Sequence, residues 1–201
     1  MPDIQVTLCE RFGFADFRPG QREAVECLLG GQHALVVMPT GAGKSLVYQL
    51  ASLRLPGVTL VLSPLISLMQ DQVEHLQRRQ IPAAFINSTL PATEQAARLR
   101  ALGQGEWKLV YVAPERLRSA PFRQALARTR ISLLAVDEAH CISQWGHDFR
   151  PDYLHIAAFR RELGEPLTAA LTATATPQVQ GDITSLLGIP SAQQVIPNPV
   201  V

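Results

Sequence analysis

The stretch that most restricts what this chain can fold into runs from His33 to Ala51. His33-Ala34-Leu35-Val36-Val37 is a short apolar run suited to a buried parallel strand. Met38-Pro39-Thr40-Gly41-Ala42-Gly43-Lys44-Ser45 follows, and Leu46-Val47-Tyr48-Gln49-Leu50-Ala51 reads as the opening of a helix. Strand, glycine-bearing turn, lysine, hydroxyl and helix is the context of a phosphate-binding loop. Glycines let successive backbone N–H groups face one centre, and the next helix leaves its first N–H groups unpaired with its dipole aimed at the same spot. Lys44 would add a point charge on the β/γ-phosphates of a nucleotide, and Ser45 a hydroxyl ligand for Mg²⁺. The motif's leading glycine is Met38 here, while Gly43-Lys44-Ser45 is intact. A glycine-rich turn that binds nothing is the alternative, and the flanking strand and helix weigh against it.

Composition sets the class. With 201 residues, 47% hydrophobic and 17% charged, the chain can fill one large domain with a sizeable core. A net charge of +1 gives no bulk argument for a nucleic-acid partner, which would have to come from local placement. Cys9, Cys27 and Cys141 are far apart and form no CxxC pair, so neither zinc nor a disulfide framework is indicated, and a reducing, cytoplasmic setting is expected. No apolar run approaches a membrane span, and the first residues lack the basic region and long apolar core of a signal peptide.

The rest of the chain repeats the opening alternation. A capped helix is expected over Ile4 to Arg11 and another over Gln21 to Gly30. Apolar strands are expected at Val58–Leu62, Ala83–Ile86, Lys108–Val112, Ile131–Val136 and Pro166–Leu171. Helices are expected from Ile66 to about Arg79, then at Ala92–Leu102, Phe122–Arg128, Tyr153–Leu163 and Gln178–Leu187. This is α/β, a mostly parallel sheet with helices on both faces. Ligands in such sheets bind outside the carboxyl ends of the strands, and nearly every polar cluster here follows a strand.

Four clusters carry chemistry. Phe12 to Gln21 holds three aromatics with Arg18 and Gln21. A glutamine amide matches the donor–acceptor edge of adenine, and an aromatic or guanidinium plane stacks on a base; a purely structural corner is the other reading. Asp137 ends an apolar strand about ninety residues after the phosphate loop and reads as the Mg²⁺-holding aspartate. Glu138 is placed to polarise an attacking water, and His140 to bridge toward the next strand end. Thr172 and Thr174 close another strand, where hydroxyls can hydrogen-bond His140 or a carboxylate, while the same segment caps the following helix. Cys141 to Tyr153 interleaves Trp145, Phe149 and Tyr153 with His147 and Arg150. Gly146 and Pro151 oppose a continuous helix. Single-stranded nucleic acid is bound by such rings and cations, but the same residues suit a core corner.

Together these residues resemble the RecQ family of superfamily 2 DNA helicases, from Phe12 to about Gly188. The match implies a RecA-like P-loop NTPase domain over residues 1–190, with 191–201 a tail or the start of a linker. Phe12 to Gln21 resembles the adenine-reading motif, with Phe14 as the stacking residue and Arg18 and Gln21 as base readers. Thr40, Gly41, Ala42, Gly43, Lys44 and Ser45 fall in motif I, where Met38 is usual and Ala42 replaces a glycine found in many members. Ser63 to Gln72 resembles motif Ia, at the DNA-facing rim. Asn87-Ser88-Thr89 and Val112 to Leu117 resemble the motifs that follow it. Asp137-Glu138-Ala139-His140 is similar to motif II and Leu171 to Thr176 to motif III. Ser143 to Tyr153 is similar to the aromatic-rich loop that singles out this family, in which Trp145, His147, Phe149 and Arg150 would sense single-stranded DNA and relay it to ATP hydrolysis. The resemblance implies ATP and Mg²⁺ as cofactors, Lys44, Asp137, Glu138 and His140 as catalytic residues, and single-stranded and duplex DNA as partners. It also implies 3′-to-5′ polarity and, through regions outside this chain, a single-stranded-DNA-binding protein as a further partner. Family members carry a second RecA-like domain with an arginine finger, and nothing after Pro190 resembles it. Weak ATP–Mg²⁺ binding, poor hydrolysis and no unwinding are therefore expected of these 201 residues alone. Competing readings are an RNA-directed superfamily 2 motor and a short nucleotide- or DNA-binding module.

Overall fold

The computed structural model describes residues 3–196. Asp3 caps the first helix by accepting the Gln5 N–H at 3.1 Å. That helix, α1 (Ile4–Thr7), widens into a π turn over Leu8–Phe12 and stops at Gly13, whose φ of 75° is left-handed. The regular helix expected to Arg11 is thus broken, but Ile4, Leu8 and Phe12 stay on the buried side. Then follow α2 (Gln21–Leu29), β1 (Ala34–Val37), α3 (Lys44–Arg54), β2 (Val58–Leu62), α4 (Ile66–Arg78) and β3 (Ala83–Ile86). The chain continues through α5 (Ala92–Gly103), β4 (Leu109–Val112), α6 (Ala120–Leu126), β5 (Ile131–Val136), α7 (Ile156–Glu162) and β6 (Leu167–Thr172). It ends in α8 (Pro177–Leu186) and β7 (Gln193–Val195). Short 3₁₀ turns occupy Pro114–Arg118, Ala139–Ile142 and Pro151–His155.

All these strands lie in one sheet of order β3-β4-β2-β5-β6-β1-β7, and every pairing is parallel. Both faces are covered, which is why the strands read as continuous apolar runs. Side chains alternate across the sheet. Val36, Val61, Tyr111, Ala135 and Leu171 pack with Leu28, Leu50 and Leu76 of α2, α3 and α4. Leu35, Leu62, Val112, Val136 and Ala170 pack with Leu102, Phe122, Phe159 and Ile183 of α5 to α8.

The strand order assembles the site. β5, β6 and β1 are neighbours although 94 residues separate the end of β1 from the start of β5 in the numbering, 37 to 131. Their carboxyl ends bring Asp137, Thr172 and Met38 side by side. The Met38 N–H donates to the Thr172 carbonyl at 3.1 Å, and the Asp137 N–H to the Leu62 carbonyl at 2.8 Å.

One element corrects the sequence reading. Residues from Ser191 were expected to form a tail, yet Gln193–Val195 adds a parallel strand outside β1, and the Gln193 N–H donates to the His33 carbonyl at 2.8 Å. The strand is three residues long and only Val195 in it is buried, so it carries no periodic signal. Residues 197–201 of the expected tail lie outside the described residues.

Candidate nucleotide site and its helical neighbours

The phosphate loop takes the form its glycines allow. Gly41 and Gly43 sit at φ 80° and 84°, left-handed conformations that cost glycine little. Ala42 keeps a negative φ and packs against the core, so the missing third glycine is tolerated. α3 begins at Lys44 with no side chain capping it, which leaves its first N–H groups directed at the loop's mouth. The Lys44 ammonium donates to the Met38 carbonyl at 3.1 Å and the Pro39 carbonyl at 3.5 Å. An uncapped helix start, a lysine held beside it and a following serine hydroxyl form a donor set that fits a polyphosphate. The Ser45 hydroxyl and the Asp137 carboxylate are hard oxygen donors of the kind Mg²⁺ takes.

At the end of β5 the backbone turns sharply. Glu138 sits at φ 47°, ψ 44°, a left-handed conformation uncommon outside glycine, asparagine and aspartate. Asp137 is held beneath it: its carboxylate accepts the Glu138 N–H at 3.0 Å and the Ser63 hydroxyl at 3.5 Å. Burial and then the neighbouring Glu138 charge push its pKa up to about 6, against the opposing pull of that N–H, Lys44 and Ser63. A carboxylate this short of positive charge is suited to a bound dication. Glu138 Oε2 lies 3.3 Å from His140 Nδ1, which also lies 2.9 Å from the Thr172 hydroxyl. That hydroxyl donates to the Thr174 carbonyl at 3.1 Å, so it accepts from His140 and fixes the proton on Nδ1. Burial lowers the His140 pKa, with the Glu138 charge opposing. The sequence expectation that Thr172 bonds His140 is met; Thr174 enters through its carbonyl.

Beyond His140 the chain forms the exposed loop that Gly146 and Pro151 anticipated. His147 stacks on His140 with centroids 4.4 Å apart and planes 14° from parallel. Trp145 is 73% exposed, Phe149 is half-buried and Tyr153 is buried. Arg150 lies against Asp148, Nη2 at 2.9 Å and Nε at 3.1 Å from one carboxylate oxygen. The loop is anchored at both ends. Ser143 donates to Asp182 at 2.6 Å and accepts the Trp145 N–H at 3.1 Å, and the Tyr153 hydroxyl donates to the Asp137 carbonyl at 2.8 Å. A cleft of about 400 Å³ joins Thr40, Leu65, Glu138, His140, His147 and Thr174. Ser88 stands apart from it, exposed beyond β3 toward the sheet edge.

A narrower cleft of about 200 Å³ lies on the other side of the loop, between Phe14, Arg18, Gln21, Gly43, Gln72 and His75. Phe14 is 46% exposed there, as a stacking surface requires. Gln21 is only 2% exposed and its amide is engaged at both ends. Oε1 accepts the Arg18 N–H at 2.8 Å, while Nε2 donates to the Ala42 and Gly43 carbonyls at 3.1 Å each. Arg18 itself donates to the Gly41 carbonyl. In this structure both residues tie the aromatic segment to the phosphate loop, and a base edge would have to displace one of those bonds. Sequence reasoning passed over Gln72, His75 and the link from Tyr153 to Asp137. Only the tyrosine left a signal, its four-residue spacing from Phe149.

Comparison with known proteins agrees with this geometry. The DEAD/DEAH box helicase family profile matches residues 18–182. The ATP-dependent DNA helicase RecQ of Bacillus subtilis (strain 168) is 50% identical over 187 residues, 92% of this chain and 32% of that protein. The ATP-dependent DNA helicase Q5 of Mus musculus is 47% identical over 192 residues, 92% of this chain and 20% of that protein. The chain thus spans about a third or less of these relatives' length. A hypothetical ATP-dependent RNA helicase from Sulfolobus tokodaii shares the fold, with a TM-score of 0.73 and 20% identity over 96% of this chain and 56% of that one. With a phosphate loop, an Asp-Glu-Ala-His turn and the profile match on the same strand ends, this chain belongs to the DEAD/DEAH box helicase family.

Proposed function

We propose that this chain is the first motor domain of a RecQ-type, ATP-dependent 3′-to-5′ DNA helicase, spanning residues 1–190. One observation carries the reading beyond the family. His147, on the aromatic loop, stacks on His140, which is hydrogen-bonded to Thr172 and lies 3.3 Å from Glu138 Oε2. The exposed Trp145 loop is therefore one ring away from the hydrolytic carboxylate.

In this reading the loop N–H groups of residues 41–45 and Lys44 hold the β- and γ-phosphates. Ser45 and Asp137 would hold Mg²⁺, which when bound neutralises developing phosphate charge. Glu138 orients the attacking water and takes its proton. His140 holds Glu138 and reports the state of the loop above it. Phe14 stacks on the base while Arg18 and Gln21 keep the cleft in register with the phosphate loop. Single-stranded DNA engages Trp145, Phe149 and Arg150, with Arg150 exchanging Asp148 for a phosphate, and Ser88 extends the DNA path along the rim. A cytoplasmic, nucleoid-associated site of action and contact with a single-stranded-DNA-binding protein belong to the same reading, the latter through regions beyond these residues.

The test is ATP turnover by the full-length protein with and without oligonucleotides. Single-stranded DNA is expected to raise turnover at least tenfold and RNA of the same sequence much less. Glu138→Gln should abolish turnover while retaining ATP binding. Equal stimulation by RNA would favour an RNA-directed motor. For the 201-residue chain alone turnover should be lower by a factor of about 10³, the contribution of an arginine finger. Robust DNA-stimulated turnover from the chain alone would overturn the view that its active site has only one wall.

A further inference from the structure

We propose that Asp182, on α8, is a positioning residue for the aromatic loop: by holding the Ser143 hydroxyl it sets Trp145 and His147 in the arrangement that lets single-stranded DNA raise ATP turnover. The inference rests on the DNA-stimulated motor reading above and assigns a residue that lies outside every motif of the sequence.

The loop has little packing to place it. None of residues 144–150 is buried, and Trp145 is largely exposed. Its course is therefore set by hydrogen bonds at its ends. At the far end the Arg150 N–H donates to the Cys141 carbonyl at 2.9 Å. At the near end stands Ser143, which is fully buried. Its carbonyl accepts the Gly146 N–H at 3.0 Å, and its hydroxyl oxygen accepts the Trp145 N–H at 3.1 Å. A backbone N–H only donates, so the Ser143 hydroxyl proton is left for another acceptor, and a carboxylate only accepts. Asp182 Oδ2 accepts it at 2.6 Å, so the sense of both bonds is fixed.

Asp182 is committed to this hydroxyl alone. Asp148 and Asp152, in and beside the loop, face Arg150 and Arg118. Asp182 has no cation beside it and no donor but Ser143 among the described residues. Its place in the chain ties the loop to the hydrolytic side. α8 follows β6 after the short segment Ala173 to Thr176, and β6 ends in Thr172, which accepts from His140. One β6–α8 unit thus holds the short turn from His140 to Ser143 at both ends, His140 through Thr172 and Ser143 through Asp182. Without Asp182 the hydroxyl turns toward another acceptor, the Trp145 N–H loses its partner, and His147 loses its fixed seat on His140.

The first measurement is ATP turnover of the full-length protein with and without single-stranded DNA. Asp182→Ala should lower DNA-stimulated turnover about tenfold, the size of one charge-assisted hydrogen bond, and leave turnover without DNA unchanged. Asp182→Asn offers the same hydroxyl a neutral acceptor of about half the strength and should stay within about threefold of wild type. The second measurement reads the loop itself in this chain. With Trp107→Phe, Trp145 is the sole tryptophan, and the indole nitrogen removed has no hydrogen-bond partner. Trp145 fluorescence anisotropy should fall in Asp182→Ala and be restored in Asp182→Asn. Asp182→Asn as impaired as Asp182→Ala, or an anisotropy that Asp182→Ala leaves unchanged, overturns the assignment. A full-length wild type that DNA does not stimulate fells the motor reading and the proposal with it. A stimulated wild type with an equally stimulated Asp182→Ala fells only the role of Asp182.

Discussion

Gly146 shows how tightly single residues are set in this site. A Cβ there would lie 2.6 Å from the His140 carbonyl oxygen and 3.2 Å from that of Ser143. Gly146→Ala must therefore lift the loop and part His147 from His140. The expected result is loss of most DNA stimulation with basal turnover retained, measured as ATP turnover of the full-length protein. Tyr153→Phe removes a buried hydrogen bond to the Asp137 carbonyl and should cost about 1–3 kcal/mol in denaturant unfolding. His33 sets a pH dependence. Its Nδ1 accepts the Thr168 N–H at 3.0 Å, so the neutral ring carries its proton on Nε2, 3.2 Å from Arg160 Nη2, and a second proton on Nδ1 would break the Thr168 bond beside that guanidinium. Burial first, then Arg160, lowers its pKa below 6.5, with Glu165 opposing. The unfolded chain thus binds the proton more readily, and the stability His33 contributes is complete above about pH 6.5 and lost as pH falls below it. The melting temperature should drop between pH 7 and pH 5, and His33→Gln should flatten part of that slope. At this scale sequence named the residue types well, because Lys44, Ser45, Asp137 and Glu138 follow strands at recognisable spacing. It could not name which polar atoms were already engaged, since Gln21 and Gln72 differ only in what surrounds them.

Among the elements, the apolar strands and the helices between them were legible, because burial on both faces gives runs no loop would tolerate. The exceptions share a cause. β7 is three residues with one buried side chain, and the π turn at Leu8–Phe12 conserves the buried face while changing the hydrogen-bond pattern. Neither alters the hydrophobic pattern from which elements are read. β7 nonetheless covers β1, the strand that carries the phosphate loop, and Ile189 and Val195 are buried with it. Deleting residues 189–201 is expected to expose that edge, lower the melting temperature by several degrees and promote aggregation, observable by thermal scanning and light scattering. Substituting Ser191, which is exposed, should leave both unchanged.

For the whole molecule, nucleotide binding and folding are linked, since the site exists only when β1, β5 and β6 lie together. ADP at one hundred times its Kd should stabilise the chain by about 2.7 kcal/mol, and Lys44→Ala should abolish the shift. Thermal melts over an ADP series check both. The sheet order has a further consequence, in the time domain of synthesis. β1 emerges first from the ribosome, yet both of its partners, β6 and β7, emerge last. The four strands β3, β4, β2 and β5 can pair among themselves while β1 waits without a neighbour on either side. A nascent chain released before Thr172 would carry its complete phosphate-loop sequence with no strand to hold it, so nucleotide capture is deferred until β6 has followed β5 out of the ribosome.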